Sequence, residues 1–255
     1  MKQTAAFLFA FLSLAVAQSP IDELMREGVK QTEDGWALFD KQTLMSARSN
    51  FERAINAEPE NKYAMYYLAY SEYRLLTYAF STKHNEMFDQ LVDSAVEHCK
   101  KAIELGSDWS EPKALLSGIY GYKIAKNWMS AMTLGPKADG LTEEALEKNP
   151  NNPRVLLFRG ISFFNKPSMF GGSVDKAQAD FKKSVEEFEL QKKTESLEPM
   201  WGYTDALAWL GKAYEKKEMN DKAIEVYKKA LVVNPNFSWI KNVLLPNLEK
   251  KMVAK

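Results

Sequence analysis

The stretch from Asp205 to Asn236 reads DALAWLGKAYEKKEMNDKAIEVYKKALVVNPN. Small and aromatic residues recur along it as Leu210, Gly211 and Tyr214, then Ala223, Tyr227 and Ala230, then Pro235. Apolar positions three and four apart mark one face of a helix, so the stretch predicts two amphipathic helices joined by a polar turn at Lys217 to Asp221. A small residue in each helix lets the two approach closely, an aromatic from each fills the space beside it, and Pro235 stops the second. Such a hairpin leaves an apolar face uncovered, and stacking a further hairpin on it buries that face.

The same pattern occurs near the other end of the chain. Between Gly28 and Asn61, the residues Gly35, Leu38, Ala47, Phe51, Ala54 and Pro59 fall in register with Gly211, Tyr214, Ala223, Tyr227, Ala230 and Pro235. The chain therefore resembles the tetratricopeptide repeat family, whose unit is about 34 residues. Leu207 stands where that family usually has an aromatic, and Glu218 replaces the usual turn glycine. The resemblance implies an all-α solenoid, a right-handed superhelix of antiparallel helix pairs, that binds proteins or extended peptides without catalysis.

The intervening chain is less regular. One domain over 28–255 is expected, with units near 28–61, 62–105, 111–150, 153–188 and 204–237, a lead-in over 18–27 and a capping helix over 238–253 that Pro246 bends or splits. In that cap Trp239, Val243, Leu244 and Leu248 are expected to face the last repeat. In the second unit the two halves lie further apart than in the clean copies, which a longer first helix or an insertion around Thr77 to Glu86 explains. In the third, NWMSAMTLGP adds residues between the helices and Gly140 interrupts the second helix. In the fourth, Gly160 to Ala177 spans 17 positions where Gly211 to Ala223 spans 12, so NKPSMFGG is an enlarged inter-helix turn. Ser173 caps the helix that follows, and Met169 and Phe170 either plug the turn against adjacent helices or contact a partner.

The first 17 residues, MKQTAAFLFAFLSLAVA, set Lys2 before an apolar run from Ala5 to Leu14 and end on Ala15-Val16-Ala17. That is the form of a secretory leader cleaved after Ala17, which implies export to a periplasm or to the exterior. No later run is long and apolar enough to span a membrane in the mature chain.

Lys plus Arg and Asp plus Glu number 34 each, so no global field attracts nucleic acid. The single cysteine, Cys99, lies among apolar helix neighbours and reads as a buried free thiol. His84 and His98 form no metal signature and read as surface residues. Gly171-Gly172 lacks the rest of a phosphate loop, and no nucleophile or paired carboxylates are nominated. No cofactor, metal or catalytic residue is expected.

Recognition has more to stand on. In a stacked array the first helix of each pair lines the concave face, and the segment KYAMYYLAYSEYRLLTYAF carries seven aromatics from Tyr63 to Phe80. Projection from Leu68-Ala69 selects Tyr63, Tyr66, Tyr70, Tyr73 and Arg74 for that face. The corresponding positions elsewhere are Trp36, Phe39, Tyr122 and Phe164, whereas the last unit offers Lys212, Glu215 and Lys216. Aromatics with a hydrogen-bonding edge suit an extended peptide, and Arg74 is placed to hold a carboxylate at two points. Two alternatives stay open: the long second helix pair closes the groove and buries its own tyrosines, or the aromatic face around Arg74 takes a small organic acid for a periplasmic transport system.

Overall fold

The computed structural model describes residues 19–254 apart from 193 and 195; the leader expected over 1–17 lies outside the described residues. Five antiparallel helix pairs follow one another: α1 (Pro20–Leu38) with α2 (Lys41–Ala57), α3 (Lys62–Ser81) with α4 (Asn85–Leu105), α5 (Ser110–Lys126) with α6 (Ala131–Lys148), α7 (Pro153–Asn165) with α8 (Val174–Leu190), and α9 (Tyr203–Lys216) with α10 (Asn220–Val233). A π-type turn at Ile240–Leu244 leads into the terminal α11 (Leu245–Val253). The first helices touch in sequence, α1 to α3 to α5 to α7 to α9, and so form the inner layer of a curved stack.

The ends of these helices are written locally. Ser19, Asn61, Asn152 and Ser173 each accept a hydrogen bond from a backbone amide of the first turn that follows, and Pro20 and Pro153 occupy positions where no amide partner is needed. Three of the turns inside pairs use a residue in the left-handed conformation, Phe39, Lys83 and Glu218, with φ of 56°, 56° and 58°. The turn therefore keeps its backbone geometry at Glu218 without a glycine.

The packing follows the small-against-aromatic pattern with one shift of register. A Cβ on Gly211 would lie 2.2 Å from the Tyr227 ring, and one on Gly160 would lie 2.5 Å from the Phe181 ring. In the first pair Phe51 packs on Gly28, not on Gly35, which instead meets Leu44. The reason is where the turn falls: α1 gives way to α2 at Phe39–Asp40, ahead of the position that matches the Lys217–Met219 turn between α9 and α10, and in an antiparallel pair the turn sets which residues stand opposite one another. The expected lead-in is helical from Pro20 onward and lengthens α1 at its start.

The extra residues of the second unit lengthen both helices, α3 to 20 and α4 to 21 residues. In the third unit α6 runs without a break through Gly140 and holds Pro136 inside it, correcting the expected interruption. Glycine lowers helix stability but does not end a helix whose neighbours hold it. In the terminal cap, Ile240 and Leu248 are buried while Val243 is exposed, because the π-type turn rotates the register expected for a regular helix.

Candidate functional site

The aromatic residues selected for the concave face do converge, and they converge on the chain itself. Arg74 is 3% exposed. Its Nη1 and Nη2 donate to Oδ1 and Oδ2 of Asp205 at 3.1 and 2.7 Å, the two-point geometry expected for a ligand carboxylate. Trp36 Nε1 donates to the same Asp205 Oδ1 at 3.0 Å, and the Arg74 guanidinium lies 4.3 Å above the Trp36 ring. Arg74 Nε donates to Tyr70 Oη at 3.0 Å, and that hydroxyl donates to Glu33 Oε1 at 2.8 Å. Loss of solvation pushes the Glu33 carboxyl above its ordinary value, against the pull of Arg74 and Tyr70.

A second set of contacts closes the other end of α3. Trp201 stacks on Tyr70 with ring centres 4.3 Å apart and donates from Nε1 to Tyr66 Oη at 3.0 Å. Tyr63 Oη donates to Glu198 at 2.5 Å, and desolvation together with that carboxylate pushes its hydroxyl up to about 12. The segment 198–205, the end of the link from α8 together with the first turn of α9, thus lies along α3 where an extended peptide was expected. Trp36, Tyr66, Tyr70, Tyr73 and Arg74 are buried and are withdrawn as partner contacts. The curl of the stack brings the start of the fifth pair onto the first two, and the buried indole, guanidinium and phenol groups find their partners within the chain. The small-acid reading loses its pocket around Tyr66, Tyr70 and Arg74 for the same reason.

Phe39, Tyr63, Tyr122 and Phe164 remain half-buried. Phe39 packs 4.8 Å from Tyr78, Tyr122 donates to Thr77 Oγ1 at 2.9 Å, and Phe164 meets Trp209 edge-on at 5.6 Å. Beyond them Lys212 lies over Trp209, Trp239 and Phe164. Arg154, also buried, pairs with no carboxylate among the described residues: it donates from Nη2 to Gln191 at 3.2 Å and lies over the Phe188 and Trp201 rings, with no partner for Nε among those residues.

The histidines divide. His84 caps α4 by accepting from the Met87 amide. His98, expected at the surface, instead places Nδ1 2.8 Å from the buried Glu72, which also accepts from Arg48 and Ser94. Cys99 is buried and free, donates toward the Pro112 carbonyl, and burial pushes its thiol up.

The enlarged turns carry what the axis does not. Trp128–Ser130 and Ser168–Phe170 each form a single 3₁₀ turn. Gly171 takes φ 87°, and a Cβ on Gly172 would lie 1.8 Å from the Lys166 carbonyl oxygen, so glycine is required to close the second turn. Met169 and Phe170 do not plug it: with Trp128, Met129 and Met132 they are 64–82% exposed. Lys166, just after α7, pairs with Asp139 on α6 and so joins the third and fourth helix pairs. Sequence reasoning passed over Trp128, Met129 and Met132; the available signal was apolar residues inside an insertion, where packing within the pair gives them no role.

Among the described residues no group of three metal-ligating side chains exists and no helix is long and apolar enough to cross a membrane. Family models described as tetratricopeptide repeat match residues 33–108 and 204–237. No curated protein sequence matches the chain. Among solved structures, a thermophilic tetratricopeptide-repeat protein of Thermus thermophilus is similar at 20% identity and a TM-score of 0.62, over 92% of this chain and 97% of that one. The HusA haemophore from Porphyromonas gingivalis is similar at 23% identity and 0.62, over 80% of this chain and 96% of that one. The human IFIT1 dimer with m7Gppp-AAAA gives 20% and 0.62, over 88% of this chain and 46% of that one. Residues 33–108 and 204–237 match the tetratricopeptide repeat, and the described residues together fold as an all-α solenoid of antiparallel helix pairs of that repeat form.

Proposed function

We propose that the chain is an exported adaptor that holds a partner protein against the rim of its enlarged turns. Trp128, Met129, Met132, Met169 and Phe170 supply the apolar contacts. Phe39, Tyr122 and Phe164, at or near the ends of the first helices on the same edge, extend that surface inward. The observation that carries the reading is the exposure of those five large side chains on two consecutive turns, while the axis is filled by the chain's own segment. Large apolar side chains exposed in such number suit a protein-binding surface, and methionine lets such a surface adapt to its partner. The form of residues 1–17 supports export.

Photoreactive benzoylphenylalanine placed at position 128 or 170, with position 190 on the opposite edge as control, tests the rim in cells of the source. The same partner is expected to crosslink from both rim positions, more than about tenfold above the control, and to be lost in the Trp128→Ser, Phe170→Ser double variant. Equal recovery from position 190, or none from the rim, would overturn the reading. Sequencing the N-terminus of the mature protein is expected to give Gln18, and retention of Met1 would remove export from it.

A further inference from the structure

Lys212 follows Gly211 on α9, on the face turned toward the inner layer. Its Nζ lies 4.1 Å from the ring centre of Trp209, 5.2 Å from that of Trp239 and 5.4 Å from that of Phe164. Several lysines elsewhere pair with carboxylates across the stack, Lys123 with Asp93, Lys148 with Asp108, Lys217 with Asp175 and Lys229 with Glu189, while Lys62 lies over two rings and Lys176 and Lys222 over one each. Among the described residues Lys212 makes no such ion pair. Glu215, one turn along the helix, accepts from the Tyr227 hydroxyl instead.

An ammonium held over three aromatic faces keeps part of its stabilisation through the rings, but its donors have no anion to serve. Lys212, Trp209, Trp239 and Phe164 are all half-buried, so the ammonium has given up much of its water while the face stays reachable. Loss of solvation accordingly lowers the Lys212 pKa, with Glu215 opposing. One cation walled by rings suits a monoanion with an apolar body; a doubly charged phosphate would meet too little positive charge and too much hydrocarbon.

We infer that Lys212, Trp209, Trp239 and Phe164 form a binding site for a carboxylate carried on an apolar, ring-sized body, with the carboxylate on Nζ and the body against the aromatic walls. The site shares Phe164 with the inward edge of the rim surface but turns on Lys212, which the rim reading does not use, so the two readings can fail separately. Only the ammonium attracts the anion, so binding weakens as pH rises through the Lys212 pKa.

Titration of the full mature chain with phenylacetate, followed by tryptophan fluorescence and by the Lys212 Nζ NMR signal, tests this. Saturable binding is expected, about tenfold or more weaker for the neutral phenylacetamide, lost in Lys212→Met and kept in Lys212→Arg, with the Lys212 pKa rising on binding. N-acetyl-alanyl-phenylalanine as a further probe distinguishes sources: tighter binding than phenylacetate identifies a peptide C-terminus, weaker binding a free organic acid. Equal binding of acid and amide, no saturation with either acid, or unchanged binding in folded Lys212→Met would overturn the site.

Discussion

Around the axis, Trp36, Tyr66, Tyr70 and Trp201 are buried against one another and against Arg74 and Asp205. On the rim, Trp128, Phe170 and three methionines stand mostly in water. The residue types overlap, yet one set is core and the other is surface. Aromatic density on a repeat's inner helix therefore does not mark a groove; what matters is whether the stack curls far enough for a distant segment to cover it. Here the segment 198–205 does so, and it brings the carboxylate that Arg74 requires. The rim has no such cover because its turns project beyond the helix pairs that hold them.

The contrast can be broken at several points. The largest effect is expected from Asp205→Ala, which strands the buried Arg74 and takes an acceptor from Trp36. Breaking a buried pair by removing one partner costs about 3–5 kcal/mol, and urea denaturation should show a loss of that order. A loss below about 1 kcal/mol would mean that this pair does not close the axis.

A smaller effect, and a pH-dependent one, is expected from Glu33→Gln. The Glu33 carboxyl holds its proton more tightly folded than unfolded. It therefore favours folding fully below its unfolded value, and that contribution is lost as pH rises through the raised folded value. The amide can still accept from Tyr70 and carries no charge. Stability measured against pH should flatten in the variant and exceed the parent's at neutral pH; parallel curves would count against a desolvated Glu33. The smallest effect belongs to the rim: the Trp128→Ser, Phe170→Ser double variant should change stability within about 0.5 kcal/mol per site, and a loss of several kcal/mol would show these residues to be core after all.

Much of the fold was legible because its signals are local. Gly211 and Tyr227, Gly160 and Phe181, the cap Ser173 and the stop at Pro235 each act within one helix pair. The first pair shows the limit: Gly35 matches Gly211 in spacing, yet Gly28 receives Phe51, since the turn at Phe39–Asp40 falls earlier in the repeat and sets which residues stand opposite. The site was less legible. Residue type suggests Arg74 as a two-point holder of a ligand carboxylate, whereas the carboxylate it holds is the chain's own Asp205, 131 positions away. Lys212 was placed on the inner face, and its three aromatic neighbours come from three separate elements. His98 read as a surface residue because nothing near it in sequence points to Glu72.

Residue order alone was enough to specify the helix pairs, their repeat type and the position of the enlarged turns, since hydrophobic spacing, caps and turn residues act over a few residues. The closure of the axis and the burial of Tyr66, Tyr70 and Arg74 were settled by the curvature of the stack. Curvature sums small rotations between successive pairs, and each irregular unit alters that sum, so the segment that meets α3 is fixed only once all five pairs are in place.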